Sequence, residues 1–240
     1  MIKRILKRAV GEKFLGITEY YRYPNLRADL GGPFNGQKYR QQMVETFIRR
    51  LPIDAIVETG TYRGTTTSYL ATLTSLPIYT VELSRRFQGF RWPALRRFRN
   101  VHRFNGDSRA FLRGLAADKR LRQKTILFYL DAHWNADLPL AEELEIIFSH
   151  WERAVAVIDD FQVNDDPGYG YDEYGPGRTL NIDYIKPAQE KFELCAFFPS
   201  VSSASETGAK RGSITLVADF NLREILGTMS EIREYPAQEP

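Results

Sequence analysis

Acidic side chains stand directly after two short apolar segments in the second half of the chain. Asp131 follows Phe128-Tyr129-Leu130, and Asp159 and Asp160 follow Val157-Ile158. A carboxylate at the end of an apolar strand is costly to bury unless it is paired or bound to a cation. Each of these acids alone is also compatible with a helix cap or a hydrogen-bonded carboxylate. Three that converge from neighbouring strands would form an oxygen-rich site that suits Mg²⁺ or another hard divalent ion, so the trio predicts a metal site.

His133 lies two residues after Asp131, beside the same predicted site. An imidazole with a near-neutral pKa can take a proton from a hydroxyl group, so we predict that His133 is the general base and that Asp131 shares the catalytic site. The competing interpretation is a structural histidine that hydrogen-bonds a strand-end carbonyl or a carboxylate. His102 and His150 lack acidic neighbours of this kind in the predicted site, and we interpret them as structural.

A glycine-containing turn follows the first apolar segment, in the order Glu58-Thr59-Gly60-Thr61-Tyr62-Arg63-Gly64-Thr65. Glycines after a strand let the backbone approach a ligand closely, and the next helix offers free N–H groups. Glu82 ends the second apolar segment about 20 residues later, where nucleotide-binding α/β folds hold a ribose diol. After the third segment, Asp107 either lies near an adenine amino group or caps a helix, and Ser108 is an equally good cap. Together these features favour an adenosine-containing ligand.

Short apolar segments alternate with helical patterns across much of the chain, which predicts a Rossmann-like α/β fold. Because the segments are continuously apolar, they should form a mostly parallel sheet with helices on both faces. The predicted strands are 55–57, 78–81, 101–104, 125–130 and 154–158, and the predicted helices are 65–74, 87–98 with a break at Pro93, 109–115 and 138–151. Two later apolar segments, 192–198 and 213–218, should form an antiparallel pair that closes the sheet. Such sheets bind ligands beyond the carboxyl ends of their strands.

Two further segments flank this pattern. Residues 1–50 are predicted as an N-terminal helical extension of a single domain that occupies residues 51–240, with a final helix at about 37–51 that places Tyr39, Met43, Phe47 and Leu51 on one face. Residues 162–181 are rich in Gly, Tyr and Asp, and a segment this long between ordered elements is usually a lid or a binding loop. We expect Tyr169, Tyr171 and Tyr174 to stack on a substrate there.

The composition is that of a globular protein, with 43% hydrophobic and 26% charged residues in 240. A single cysteine, Cys195, excludes an intramolecular disulfide framework and fits a reducing cytoplasm. The N-terminal sequence reads poorly as a secretion signal, and no apolar run approaches the roughly 20 residues that span a bilayer. These observations predict a cytoplasmic location.

Positive charge is concentrated between Arg85 and Lys124, where thirteen Lys or Arg residues accompany two Asp. One interpretation is the solvated faces of two helices. The other is a footprint for an anionic partner such as a phosphorylated substrate, nucleic acid or a membrane surface. We do not expect nucleic acid to be the partner, and the sequence leaves peripheral membrane contact and a homo-oligomer open.

The ordered set of motifs resembles the class I S-adenosylmethionine-dependent methyltransferases. That resemblance covers about residues 53–217 and implies a seven-stranded sheet whose last strand is antiparallel. It also implies a cofactor site in which Glu82 holds the ribose, Asp107 and Ser108 hold the adenine, and the other contacts come from Glu58, Gly60, Thr61, Tyr62, Gly64, Thr65 and Asp131.

Within that class, Asp131, Asp159 and Asp160 are similar to the metal-binding trio of the divalent-cation-dependent O-methyltransferases of the catechol and macrocin types. The resemblance implies that Mg²⁺ binds the oxygens of a small-molecule hydroxyl acceptor and that His133 takes the proton before methyl transfer. Two other classes of function stay open at this point. One is an NAD-dependent oxidoreductase, and the other is a nucleotide-binding scaffold that engages an anionic partner through the basic stretch.

Overall fold

The strands of the protein form one mostly parallel sheet. The computed structural model describes residues 2–133 and 137–235, and within these residues the sheet has eight strands. They are β1 (Ala55–Thr59), β2 (Ile78–Glu82), β3 (Val101–Asn105), β4 (Ile126–Leu130), β5 (Ala154–Asp159), β6 (Cys195–Pro199), β7 (Ser213–Val217) and β8 (Ile232–Tyr235). Their order across the sheet is β3-β2-β1-β4-β5-β7-β6-β8.

The direction of the strands confirms most of the predicted topology. The strands from β1 to β5 pair in parallel, and β7 runs antiparallel between β5 and β6. The predicted number of seven strands is wrong, because β8 adds an eighth strand antiparallel to β6. This edge strand has the sequence Ile-Arg-Glu-Tyr, which is too short and too polar to stand out as an apolar segment.

Helices cover both faces of the sheet. They are α1 (Ile2–Arg22), α2 (Lys38–Arg50), α3 (Thr65–Leu73), α4 (Arg85–Leu95), α5 (Ser108–Ala116), α6 (Lys119–Arg122), α7 (Leu140–His150), α8 (Ile182–Phe192) and α9 (Phe220–Gly227). The predicted break at Pro93 is wrong, because α4 continues through it and ends two residues later. The sequence analysis did not predict α8 and α9, which begin at the capping side chains of Asn181 and Asp219.

The buried residues form two layers, one on each face of the sheet. Val57, Phe128 and Ile158 point to the layer that α5, α7 and α8 cover. Their neighbours in the strands point to the opposite layer, which receives Met43 and Phe47 from α2. The last helix of the N-terminal extension is therefore part of the core.

Helix α1 packs closely on α4 through two glycines. A Cβ atom on Gly16 would lie 1.9 Å from the carbonyl oxygen of Arg86, and one on Gly89 would lie 2.0 Å from that of Lys13. Only residues without a side chain allow the two helix backbones to approach this closely. None of the helices in residues 2–133 and 137–235 has the length and apolar character needed to cross a membrane.

Candidate active site

A cavity of about 590 Å³ opens at the carboxyl ends of β1, β2, β4 and β5. Its position agrees with the rule for open parallel sheets, and its size is that of a small-molecule site. Nine of the ten residues predicted to bind a cofactor line it: Glu58, Gly60, Thr61, Tyr62, Thr65, Glu82, Asp107, Ser108 and Asp131. The sequence motifs, which are distant along the chain, therefore meet in one place.

Gly64 is the predicted cofactor residue that does not line the cavity. It precedes α3 with a φ of +78°, and a Cβ there would lie 3.2 Å from Leu95 and 3.3 Å from Cβ of Arg91. The cofactor role that the resemblance implies for Gly64 stays a prediction. In this structure Gly64 permits a left-handed turn and close packing of α3 against α4.

Gly60 is required where β1 approaches β4. It has a φ of +82°, and a Cβ atom there would lie 2.0 Å from the carbonyl oxygen of Asp131. The amide nitrogen of Asp131 in turn donates to the carbonyl oxygen of Thr59. This contact holds the turn after β1 beside the acidic residue that follows β4.

Glu58 is buried at the bottom of the cavity and is held by hydroxyl groups. Its Oε2 accepts hydrogen bonds from Oγ1 of Thr80 at 2.6 Å and from Oγ1 of Thr67. Thr61 lies next in this series, with its Oγ1 2.5 Å from that of Thr80 and accepting from Nη1 of Arg91. Burial raises the pKa of Glu58 to about 7, against the lowering effect of these hydrogen bonds.

Glu82 connects the turn after β1 to the start of α4. Its Oε2 accepts from the amide of Tyr62 and its Oε1 from that of Ser84, each at 2.7 Å. Burial raises the pKa of Glu82. The carboxylate is therefore fixed at the cavity wall, where the sequence predicts the ribose.

Asp107 caps α5, as one of its two predicted interpretations requires. Its Oδ1 accepts from the amides of Arg109 and Ala110, and the Arg109 guanidinium binds both carboxylate oxygens. These hydrogen bonds keep the pKa of Asp107 below its usual value. Arg109 also pairs with Asp137, which lines the same end of the cavity.

Asp131 and Asp160 line the cavity and form an acidic cluster with His133, which is buried beside them. One ligand atom from each lies within 4.8 Å of the other two. Nε2 of His133 is 3.9 Å from Oδ1 of Asp131 and 3.9 Å from Oδ2 of Asp160, which is too far for hydrogen bonds. His133 is buried, and neither ring nitrogen has a hydrogen-bond partner in the part of the chain that the structure describes.

Asp159, the third predicted metal ligand, does not join this cluster. Its Oδ1 pairs with the buried guanidinium of Arg40, and its Oδ2 accepts a hydrogen bond of 2.6 Å from the hydroxyl of Tyr129. Burial raises the pKa of Asp159, but Arg40 and Tyr129 outweigh that effect and the pKa is lowered. The predicted ligand trio stays a prediction, and in this structure Asp159 pairs with Arg40 and Tyr129 while Asp131 and Asp160 converge with His133.

Arg211 brings a second guanidinium to the cluster. Its Nε donates to Oδ1 of Asp160 at 2.6 Å, and its Nη2 pairs with Asp172. Even so, burial and the nearby Asp159 raise the pKa of Asp160 to about 7. Burial, together with the nearby carboxylates of Asp159 and Asp160, raises the pKa of Asp131 well above its ordinary value. Burial and mutual repulsion therefore favour the protonated forms of Asp131 and Asp160 when no cation is bound.

The sequence analysis missed Arg40, Arg211, Asp172 and Tyr129. A signal was present, because carboxylates that end apolar strands require cations, and arginine is a frequent partner for a buried carboxylate. Arg40 lies on α2 among apolar residues, where a helical pattern alone treats it as solvated. Arg211 lies in a loop, and a loop position predicts no partner.

The predicted lid is a docked wall of the site. Oδ1 and Oδ2 of Asp166 accept hydrogen bonds from the hydroxyl and amide of Ser203, and Gly170 forms a bridge with Arg211. The predicted stacking of Tyr169 on a substrate is wrong, because its ring is buried and its hydroxyl donates to Val201. The hydroxyl of Tyr174 lies 2.6 Å from the carbonyl oxygen of His133, so this tyrosine supports the cluster.

The N-terminal extension contributes to the cavity through Leu30, Gly32 and Asn35. The carbonyl oxygen of Asn35 accepts from the amide of Ala209, which also lines the cavity. Gln37, which is fully buried, exchanges two hydrogen bonds of 2.8 Å with the backbone of Arg211. Residues 30–37 and 209–211 therefore form one connected wall.

Comparison with known proteins gives matches at the level of structure. No protein-family model matches the chain, and no curated protein matches its sequence. The O-methyltransferase TomG from Streptomyces achromogenes, solved with SAM, is 17% identical over 75% of this chain and 80% of that chain, with a TM-score of 0.52. The O-methyltransferase from Bacillus cereus, solved with SAH, is 14% identical over 85% of this chain and 90% of that chain, with a TM-score of 0.54.

The fold of the chain is similar to that of these two O-methyltransferases. At these identities the similarity concerns the fold alone, and the strand order supports it independently. The order β3-β2-β1-β4-β5-β7-β6 with a reversed β7 agrees with the sheet implied by the resemblance.

Proposed function

We propose that this protein is an S-adenosylmethionine-dependent O-methyltransferase that acts on a hydroxyl group of a small molecule. A single observation carries the proposal. Nine of the predicted cofactor residues line one cavity, and Asp131 and Asp160 of the acidic cluster line the same cavity, with His133 buried beside them. Asp131 belongs to both groups, so the donor and acceptor sites would meet at its side chain.

S-adenosylmethionine would supply an electrophilic methyl group on a sulfonium sulfur. The residues of this chain would bind and orient it. Glu58 offers a buried carboxylate at the end of β1 for the ammonium of the methionine part, and Glu82 lies where the ribose hydroxyls are expected. Such positioning in a partly enclosed cavity is where most of the rate enhancement for methyl transfer would arise.

The cluster fits a divalent cation, with a donor set different from the predicted one. Two carboxylates and one imidazole converge, and the imidazole is buried without a partner in the described residues. This mixed nitrogen and oxygen set suits Mn²⁺, Fe²⁺ or Zn²⁺ better than Mg²⁺, which favours oxygen ligands alone. We propose that Asp131, His133 and Asp160 hold the cation, which would lower the pKa of an acceptor hydroxyl.

The base role expected for His133 from the sequence stays a prediction. His133 can act as the base only if no metal ion is bound to it, because Nε2 cannot bind a metal ion and accept a proton at the same time. Removal of metal with a chelator separates the two roles, because only the base role survives it.

The acceptor would occupy the end of the cavity that the N-terminal extension closes. Asn35, Asp172 and Arg211 line this region together with Leu30. The three polar side chains of this wall, beside the apolar Leu30 and Ala209, suit an acceptor with several hydrogen-bonding groups. Sugar, polyketide, phenol and lipid headgroup hydroxyls all fit this description, including those of glycosylated natural products.

The deciding experiment is a calorimetric titration of S-adenosylhomocysteine into the protein, with and without added Mn²⁺ or Mg²⁺. We expect micromolar binding, which corresponds to about 8 kcal/mol. Transfer of a labelled methyl group to a panel of hydroxylated acceptors then tests the reaction. Absence of binding in every condition would contradict the proposal and favour the scaffold alternative.

An NAD-dependent oxidoreductase is disfavoured by two observations. The nucleotide-binding sheet of those enzymes is parallel in the order 3-2-1-4-5-6, whereas β7 is inserted here in the reverse direction. The glycine spacing also differs, and Gly64 packs on α4 away from the cavity.

A further inference from the structure

Helix α1 exposes an unusual number of large apolar side chains. Phe14 is 67% exposed and Tyr21 is 57% exposed, and their spacing of seven residues places them on the same face of the helix. Leu15 and Tyr23 are 50% and 45% exposed. Phe14, Leu15 and Tyr21 form an apolar strip on one side of α1, and Tyr23 follows just after its last residue, Arg22. Exposed apolar groups of this kind often mark an interaction surface.

The opposite face of α1 is firmly anchored. Gly16 and Gly89 permit the close approach to α4, and the rings of Tyr20 and Phe90 meet edge to face at 5.4 Å. Nε of Arg86 donates to Glu19 at 2.9 Å. The outward side chains of Phe14, Leu15 and Tyr21 are therefore exposed although residues 13–20 of the helix are docked on α4.

The charge of α1 indicates what kind of surface would cover the strip. The sequence Ile2–Arg22 contains six Lys or Arg residues and two Glu. Glu12 and Glu19 are only partly exposed, and both interact with Arg86 of α4. Among the residues of α1 whose side chains the structure describes, those that are exposed include Lys13 and Arg22 and no acid.

A second basic residue lies beside the helix. Lys13 and Arg85 line a small cleft next to the cofactor cavity, and neither forms an ion pair within the described residues. A cleft with two unpaired cations and no acid attracts an anionic group.

We propose that the outward face of α1 binds an anionic lipid surface, with the helix lying in the plane of the interface. Aromatic and aliphatic side chains on a basic helix are the combination that enters the boundary between headgroups and acyl chains. A second copy of this chain would bring two basic helices together, which like-charge repulsion opposes. A nucleic acid strand would gain nothing from Leu15, which has no aromatic face on which a base can stack.

Vesicle sedimentation of the full chain tests this proposal. Vesicles of phosphatidylcholine with about one third phosphatidylglycerol would be compared with pure phosphatidylcholine, at low and high salt. We expect binding to the anionic vesicles only, weakened by salt. The double variant Phe14→Ser with Tyr21→Ser should lose roughly tenfold or more in partition, since two aromatic side chains would stay in water.

The matched control is Phe220→Ser on α9. Phe220 is 66% exposed, close to the value for Phe14, but lies outside α1. It should leave vesicle binding unchanged. The charge variant Lys13→Glu with Arg22→Glu should reduce binding to anionic vesicles and raise no binding to neutral ones. Thermal unfolding midpoints within a few degrees of the unmodified protein would show that all variants fold.

Three outcomes would overturn the proposal. The first is equal sedimentation of the unmodified protein with neutral and anionic vesicles, or with neither. The second is a dimer in analytical ultracentrifugation that the Phe14→Ser and Tyr21→Ser variant dissociates, which would assign the strip to a second copy. The third is tight binding of a single-stranded oligonucleotide that the Lys13→Glu and Arg22→Glu variant abolishes while vesicles stay unbound. The proposal does not depend on methyltransferase activity.

Discussion

Nε2 of His133 lies 3.9 Å from Oδ1 of Asp131, too far for a hydrogen bond and close enough for one cation to contact both atoms. Oδ2 of Asp160 lies at the same distance from Nε2. Burial lowers the pKa of His133, so the neutral imidazole is available as a ligand. The buried imidazole therefore lies beside two carboxylates and forms a hydrogen bond with neither.

Replacement of His133 by alanine should weaken Mn²⁺ binding by about tenfold or more, because one of three protein ligands is lost. Calorimetric or spectroscopic titration of Mn²⁺ measures the change. His150→Ala is the control, since Nδ1 of His150 contacts the carbonyl oxygen of Ile146 on its own helix. If His133→Ala binds Mn²⁺ normally and turnover falls, His133 is the base that the sequence predicts.

Replacement of Arg40 by methionine should destabilise the protein by about 3 to 5 kcal/mol, because it leaves the buried carboxylate of Asp159 without its cation. Urea unfolding measures the loss. The double variant Arg40→Met with Asp159→Asn should recover part of it, since the uncompensated charge is then removed. Arg233→Met breaks a more exposed pair with Asp165 and should cost less than about 1 kcal/mol. Equal losses in the two single variants would contradict the buried pair.

The sequence predicted the parallel half of the fold well, because β1, β2, β4 and β5 are short, mostly apolar runs bounded by turn residues. Helix α8, where Pro187 and a charged surface hide the helical pattern, and β8, which is short and has two charged residues in its centre, were not predicted. Hydrophobic periodicity detects an element whose own sequence has a clear pattern of buried apolar residues. It gives little signal for an edge strand or a partly exposed helix that the rest of the sheet stabilises.

The site was predictable where strand ends fix the position of a side chain. Glu58, Glu82 and Asp131 end their strands and line the cavity as expected. The directions in which the side chains of Asp159 and Asp160 point at the end of β5 were not predictable. Asp159 and Asp160 are adjacent, but Asp160 has a φ of +53° and turns toward His133 while Asp159 faces Arg40. A pattern of residue types does not specify such a backbone reversal, nor the arginine that comes from a distant helix.

Gly60→Ala and Gly64→Ala should have different effects. A Cβ on Gly60 must displace the backbone of Asp131, so affinity for S-adenosylhomocysteine should fall by about tenfold or more. A Cβ on Gly64 meets Leu95 away from the cavity, so the variant should lose about 1 to 2 kcal/mol of stability through its left-handed φ and keep its affinity within about twofold. Calorimetry and urea unfolding measure the two quantities, with Gly114→Ala on α5 as the control. An equal loss of affinity in both variants would support the cofactor role that the resemblance implies for Gly64.

Glu143 should make the stability of the protein fall as pH rises. Its carboxyl group is fully buried on α7, and neither oxygen has a hydrogen bond of good geometry in the described residues. Burial raises its pKa from 4.5 to about 7, although the hydroxyls of Ser108 and Thr59 act in the opposite direction. The native state therefore keeps a proton that the unfolded chain releases. The stability from this group is complete below pH 4.5 and is lost as pH rises through about 7.

Glu143→Gln removes this titration and retains the shape of the side chain. The shift in pKa corresponds to roughly 3 kcal/mol at most, so the variant should match the unmodified protein near pH 5 and be more stable than it near pH 8 by up to that amount. Urea unfolding across this range measures the difference. The stability of the Glu143→Gln variant should still depend on pH to some extent, because burial also raises the pKa of Glu58 to about 7. Glu190→Gln, at a side chain 70% exposed, should leave the profile unchanged. If the Glu143→Gln profile has the slope of the unmodified protein, Glu143 is ionised in the native state and a bound cation or water must compensate its charge.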